Sequence, residues 1–265
     1  MQNQPMQDTF IEKPSSAANE TLEDYTLRYA PYSFRRWSPK VVAITALGGI
    51  AYLADFSIGA SIGMTYGTTN AIFSILFAAL IIFLTGLPLA YYAARYNIDL
   101  DLITRGAGFG YFGSVLTSII FASFTFIFFA LEGSIMAQGL LLGLGIPLWM
   151  GYLISTIMVI PLVIYGMKAL STLQVWTTPI WLILMIGPVA YLIYQEPELV
   201  SQFAAYAGNG GFAAIDVAAI MLGAGICLSL IMQIGEQIDY LRFMPAKTKE
   251  NSKSWWIAVI SAGPG

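Results

Sequence analysis

From residue 41 onward the chain runs in long apolar blocks separated by short polar connections. A helix needs about 20 mainly apolar residues to cross the hydrocarbon layer of a bilayer. On that rule the pattern predicts spans at 41–65, 71–94, 107–142, 147–166, 174–194 and 212–237, with a seventh beginning near Trp255. The third block is too long for one perpendicular helix, so it is expected to tilt or to open with an interfacial turn through Gly106, Gly108, Gly110 and Gly113. The seventh block stops at Gly265 after barely two turns, which reads as a fragment of a longer protein, truncated after about six and a half transmembrane helices. Residues 1–38 have a different pattern. They hold Asp8, Glu12, Glu20, Glu23 and Asp24 and read as a solvated tail, ahead of a transmembrane domain over 39–265. The first apolar block comes some forty residues too late for a signal peptide.

The basic residues give this pattern an orientation. All twelve Lys and Arg fall before span one (Lys13, Arg28, Arg35, Arg36, Lys40) or in alternate connections: Arg95 and Arg105, Lys168, then Arg242, Lys247, Lys249 and Lys253. The connections at 66–70, 143–146 and 195–211 have none. Lys and Arg stay on the cytoplasmic side, so the N-terminus is expected on the cytoplasmic side of a cell membrane. A missed span would scramble the alternation. Asn19-Glu20-Thr21 spells a glycosylation acceptor that this orientation puts on the wrong side.

Composition narrows the class further. The chain is 57% hydrophobic and 10% charged, against about 25% charged for a soluble domain, and its mean hydropathy is +0.71. That excludes a soluble enzyme and a disordered chain. One cysteine, Cys227, and no histidine exclude a disulfide framework, a Cys/His metal cage and a His-based nucleophile. A net charge of −3 without a basic cluster excludes nucleic acid as a partner. Gly108-Phe109-Gly110-Tyr111-Phe112-Gly113 fits the glycine pattern of a dinucleotide site, with Glu132 nineteen residues on. Such a site needs a preceding strand and a βαβ unit, whereas these glycines open a membrane helix.

The chemistry therefore lies inside the membrane. Span one carries Gly48, Gly49, Asp55 and Gly59, and span six carries Gly223 and Gly225. Interrupted helices at that depth are tolerated where they face protein or a watery cavity. A pair of them in corresponding positions of two repeats points to a transporter's binding site. On this reading both spans lose regular helix, near 51–56 and 223–229, and lie side by side. The alternative is that glycines serve close packing, as expected for Gly59-x-x-x-Gly63 and Gly139-x-x-x-Gly143. Asp55 and Glu132 lie within spans, where a carboxylate costs about 2.5–3.5 kcal/mol on insertion scales. Either both line a shared cavity that binds substrate or takes a proton, or each is a protonated group bonded across helices. Gln233, Glu236 and Gln237 share one face of span six; Glu236 reads equally as a solvated helix end, and Asp239 with Arg242 as a helix-end ion pair.

Three stretches carry a family resemblance: Leu102-Ile103-Thr104-Arg105 with Gly110 and Gly113; Tyr165-Gly166-Met167-Lys168-Ala169-Leu170 with Leu173 and Pro179; and Asp239-Tyr240-Leu241-Arg242-Phe243. In this order, over about residues 40–265, they resemble the nucleobase:cation symporter-1 family of cytosine, purine, allantoin and hydantoin permeases. The resemblance implies an all-α leucine-transporter-type fold of inverted five-helix repeats with spans one and six broken. It implies Phe128 and Glu132 at the positions of that family's Trp-x-x-x-Gln pair, which stacks on and hydrogen-bonds a flat heterocycle. It implies Ala51 and Ala54 as carbonyl donors to a cation, and Asp55 as a substrate ligand. The family's second stacking ring falls near Ser229 and Leu230 and is missing. The candidate substrate ligands are thus Asp55, Phe128, Glu132, Ser229 and Gln233.

The reading is a non-enzymatic secondary transporter of a small heterocycle, coupled to sodium or protons, with no other cofactor and the lipid bilayer as its surroundings. Two acids in place of neutral groups suggest a cargo richer in donors or positive charge than cytosine, or proton coupling. The alternative is a transporter-like sensor that binds such a solute and signals through a missing C-terminal domain.

Overall fold

The computed structural model describes residues 37–49 and 52–264. The tail up to Arg36 and the expected cation ligand Ala51 lie outside the described residues. The elements are α1 (Pro39–Gly49), α2 (Leu53–Tyr96), α3 (Leu100–Thr104), a π-helical turn (Arg105–Phe109), α4 (Gly110–Leu144), α5 (Leu148–Gln195), α6 (Glu198–Ala205), α7 (Val217–Leu228), α8 (Gln233–Leu241) and α9 (Ser252–Ala262). Among the described residues the chain is all-helical. Four stretches are long and apolar enough to cross a membrane, and α7 with α8 makes a fifth, bent by 49°.

The two longest helices are each divided by one glycine. Gly67 (φ 79°, ψ 161°) splits α2 into 53–66 and 68–96, and Gly166 (φ 63°, ψ −156°) splits α5. Gly67 is required twice over. Its φ is in the left-handed half of the map, and a Cβ there would lie 2.8 Å from the Tyr206 carbonyl oxygen. The expected connection at 66–70 thus shrinks to one residue, because Thr68 N–H donates to Tyr206 O at 2.9 Å and lets the next helix start at once. The expected glycine turn ahead of α4 is present, with Gly108 and Gly110 at positive φ.

Packing is concentrated at one end. Val42 and Ala46 of α1, Ala90, Ala93 and Ala94 of α2, Ile238 and Leu241 of α8, and Trp255 and Val259 of α9 form the buried core. The alanines let backbones approach closely, which is how helices associate where lipid removes the hydrophobic drive. α4 and α5 instead expose large apolar side chains such as Phe112, Leu142, Trp176 and Tyr194, as lipid-facing helices do. Gly59, Gly63, Gly139 and Gly143, expected to serve close packing, have no neighbour within 4 Å of a Cβ position. That task falls to Gly223, where a Cβ would meet Ser74 Oγ at 2.5 Å. Asn70 and Ser74 of α2 hold the same seam: Asn70 donates to Ala214 O and accepts from Asp216 N–H, and Ser74 Oγ donates to Ile220 O.

Below the core a turn grips the end of α8. Asn97, in left-handed conformation (φ 54°), donates from Nδ2 to Arg242 O at 2.9 Å and Met244 O at 2.8 Å. Asp99 caps α3, and its Oδ2 is 4.0 Å from Arg242 Nη1, both residues being buried. Asp239 accepts from Leu100 N–H at 3.2 Å. Asp239 and Arg242, expected as a helix-end pair, remain close enough for the guanidinium charge to act on the carboxylate, and both also reach the α2–α3 turn, which folds back against α8.

Candidate functional site

Among the described residues of the expected non-helical window 51–56, Tyr52 alone lies outside helix. α1 ends at Gly49, Tyr52 is extended (φ −80°, ψ 117°), and helix resumes at Leu53. Most of the expected non-helical window, 53–56, is thus helical first turn. Span six departs further from expectation. Gly223 and Gly225 are helical, and the interruption comes at 229–232. There the hydrogen bonds tighten to three-residue steps, Leu230 N–H to Cys227 O, Ile231 N–H to Leu228 O and Gln233 N–H to Leu230 O. The bend falls between two anchored halves: α7 is held against Ser74 and α8 against the α2–α3 turn.

Three polar contacts converge on the four residues 52–55. Tyr52 hydroxyl donates to Glu236 Oε2 at 2.7 Å. Ala54 N–H donates to Glu132 Oε1 at 2.9 Å. Gln233 Nε2 donates to both carboxylate oxygens of Asp55, each at 3.2 Å. An α-helix leaves its first amide hydrogens without intrahelical partners, and Tyr52 supplies no side-chain cap to α2. Glu132 supplies that acceptor from another helix. Among the described residues no Lys or Arg lies within ion-pair distance of Asp55, Glu132 or Glu236.

Phe128 lies one helical turn before Glu132 and faces the same way. Its ring meets Tyr52 edge-on at 6.2 Å between centroids, and Phe124 lies at 4.6 Å with a 32° tilt. Phe128 is 7% exposed, so a ligand would stack on it after Phe124 or Tyr52 moved. Asp55, Phe128, Glu132 and Gln233, four of the five substrate ligands predicted from sequence, therefore gather around one helix start. Ser229 does not join them: it is exposed and its hydroxyl donates to Ile226 O. Ala54 presents its N–H to the site, while its carbonyl points down the helix. Tyr52 and Glu236 belong to the site and were missed as ligands, although the shared face of Gln233, Glu236 and Gln237 was a signal for Glu236.

A model of permeases for cytosine/purines, uracil, thiamine and allantoin matches residues 29–263, which includes every residue of this cluster. The chain belongs to this permease family. No curated protein and no solved structure matches it. Membership makes the chain a multi-pass membrane protein of a solute-transporting family.

Proposed function

We propose that this chain is the first repeat and the beginning of the second in a leucine-transporter-type secondary transporter, coupled to sodium or protons. In this reading α1 with 53–66 is span one and 68–96 span two; α3 with α4, the two parts of α5, and α7 with α8 complete six, and α9 begins the seventh. The Lys and Arg distribution supports a cytoplasmic N-terminus. What supports a binding site at residues 52–55 is that the two interrupted spans meet there, with an aromatic ring and three carboxylates.

The cargo is a flat nitrogen heterocycle that brings hydrogen-bond donors or positive charge. The carrying observation is a donor inventory. The Tyr52 hydroxyl, the Ala54 N–H and the Gln233 amide nitrogen are all engaged with carboxylates, so the acids' remaining lone pairs are acceptors. A carbonyl edge turned toward those lone pairs meets only acceptors, whereas an amino or cationic edge donates to them. A charge-assisted hydrogen bond contributes about 1.5–3 kcal/mol, which is roughly ten- to hundredfold in affinity. The test is competition for uptake by the intact protein among cytosine, thiamine and uracil. Cytosine and thiamine are expected to compete at least about tenfold better than uracil, and Glu132→Gln to narrow that gap. A preference for uracil, or a Glu132→Gln variant in which both the ranking and pH-driven accumulation are unaltered, overturns the reading. If Glu132 carries the coupled proton, Glu132→Gln instead keeps the ranking of bound ligands and loses pH-driven accumulation.

A further inference from the structure

Two of the three polar contacts at the site run between the interrupted spans, and they are reciprocal. Tyr52, immediately before α2, donates to Glu236 in the first turn of α8. Gln233, the first residue of α8, donates to Asp55 in the first turn of α2. Each helix start gives one donor and takes one. Both acceptors sit where the helix dipole favours negative charge, so they are held without a basic partner. Neither start has a side-chain cap of its own. The apolar packing of α8 on α2, Ile234 against Gly86, falls on the stretch beyond Gly67. The Tyr52–Glu236 and Gln233–Asp55 hydrogen bonds tie α8 to the start of the stretch before Gly67.

We propose that Tyr52 and Glu236 are positioning residues of the permease. With Asp55 and Gln233 they clasp the two interruptions together, so that both breaks move as one body and the edge made by Asp55 and Glu132 keeps a single spacing. Tyr52 has a second task that fits this one: its ring lies edge-on to Phe128, so the phenol that fixes the break also bounds the aromatic wall. A solvated Glu236 at a helix end would do neither. Glu236 is half-buried and one of its oxygens is held at 2.7 Å.

Cys227 offers a readout that needs no substrate. It is the penultimate residue of α7, half-buried, directly before the tightened turns. The experiment measures its maleimide labelling rate in native membranes of the intact protein, read by mass spectrometry of its own peptide. Tyr52→Phe and Glu236→Ala are each expected to raise the rate about tenfold, the effect of one lost charge-assisted hydrogen bond. The double variant should go no higher than either single one. Glu236→Gln keeps a carbonyl acceptor for the phenol and should label at close to the native rate. Should Glu236→Ala aggregate in detergent, Tyr52→Phe carries the comparison, since it deletes one oxygen. Unchanged rates in the single variants, or a double variant whose rate is the product of the two, overturn the clasp. The second readout rests on the transporter reading: KM for radiolabelled cytosine should rise severalfold in Tyr52→Phe and return to native in Glu236→Gln. Altered labelling without uptake of cytosine, adenine or thiamine by the native protein retains the clasp and overturns the transporter reading.

Discussion

Glu132 Oε1 accepts a hydrogen bond from the Ala54 backbone N–H at 2.9 Å, across 78 residues of chain, so a carboxylate on α4 caps the first turn of α2. This contact ties the long exposed helix α4 to the start of α2. The second carboxylate oxygen of Glu132 accepts no hydrogen bond from the described residues.

Removing that acceptor should cost stability as well as selectivity. Glu132→Ala leaves the Ala54 N–H without its partner and is expected to destabilise by roughly 1–3 kcal/mol. Glu132→Gln keeps an acceptor oxygen and should retain most of it. Thermal unfolding of the detergent-solubilised protein gives the order: native, then the Gln variant close behind, then Ala. An Ala variant as stable as native would show that the cap contributes nothing.

Two glycines of α2 should respond in opposite ways to the same change. Gly67→Ala combines a left-handed φ with a backbone oxygen 2.8 Å from the new Cβ and is expected to lose about 1–3 kcal/mol. Gly59→Ala is helical with nothing within 4 Å and should gain roughly 0.5–1 kcal/mol. Paired melting curves check both, and equal shifts in the two variants would contradict the geometry at 67.

Asn97 combines conformation and bonding at one position. Asn97→Ala forfeits two hydrogen bonds at about 1 kcal/mol each and adds left-handed strain of roughly 1–2 kcal/mol. Asn97→Gly loses the bonds alone and should fall between native and Ala. Limited proteolysis of the segment after α8 follows the release of Arg242 and Met244, and a glycine variant as damaged as alanine would remove the strain argument.

Orientation is checked from outside the cell. Gln202 on α6 and Lys249 after α8 are both exposed, so single cysteines there, in a Cys227→Ser background, report sidedness without disturbing packing. An impermeant maleimide should label the cysteine at 202 in intact cells, and the one at 249 after permeabilisation. The reverse pattern would invert the topology.

The membrane helices were legible because apolar block length is a strong signal, and Asp55 and Glu132 because carboxylates are expensive at that depth; Phe128 was implied by the family resemblance alone, and Gln233 was marked by the helix face it shares with Glu236 and Gln237. The position of the break in span six was not. Gly223 looked like a helix breaker, yet its missing side chain serves the approach of Ser74, and a glycine's two uses are identical in sequence. The real bend, at 229–232, contains no glycine; it is set by where α7 and α8 are anchored, which depends on residues more than a hundred positions away. The grip of Asn97 and Asp99 on α8 was hidden for the same reason, although Asn97-Ile98-Asp99 has a left-handed stop and a helix cap side by side.

The reciprocal contacts between the two helix starts also fix an order of events during synthesis. Tyr52 and Glu236 are 184 residues apart, and at about 5–20 residues per second a ribosome needs on the order of ten to forty seconds to cover that distance. Glu132 arrives long before Gln233 and Glu236, so the amide hydrogen of Ala54 finds its acceptor while Asp55 and Tyr52 still wait for theirs. Assembly of this site is a timed process in which the first helix start matures in two stages, and a chain released between them would carry an acid in the membrane with no one to hold it.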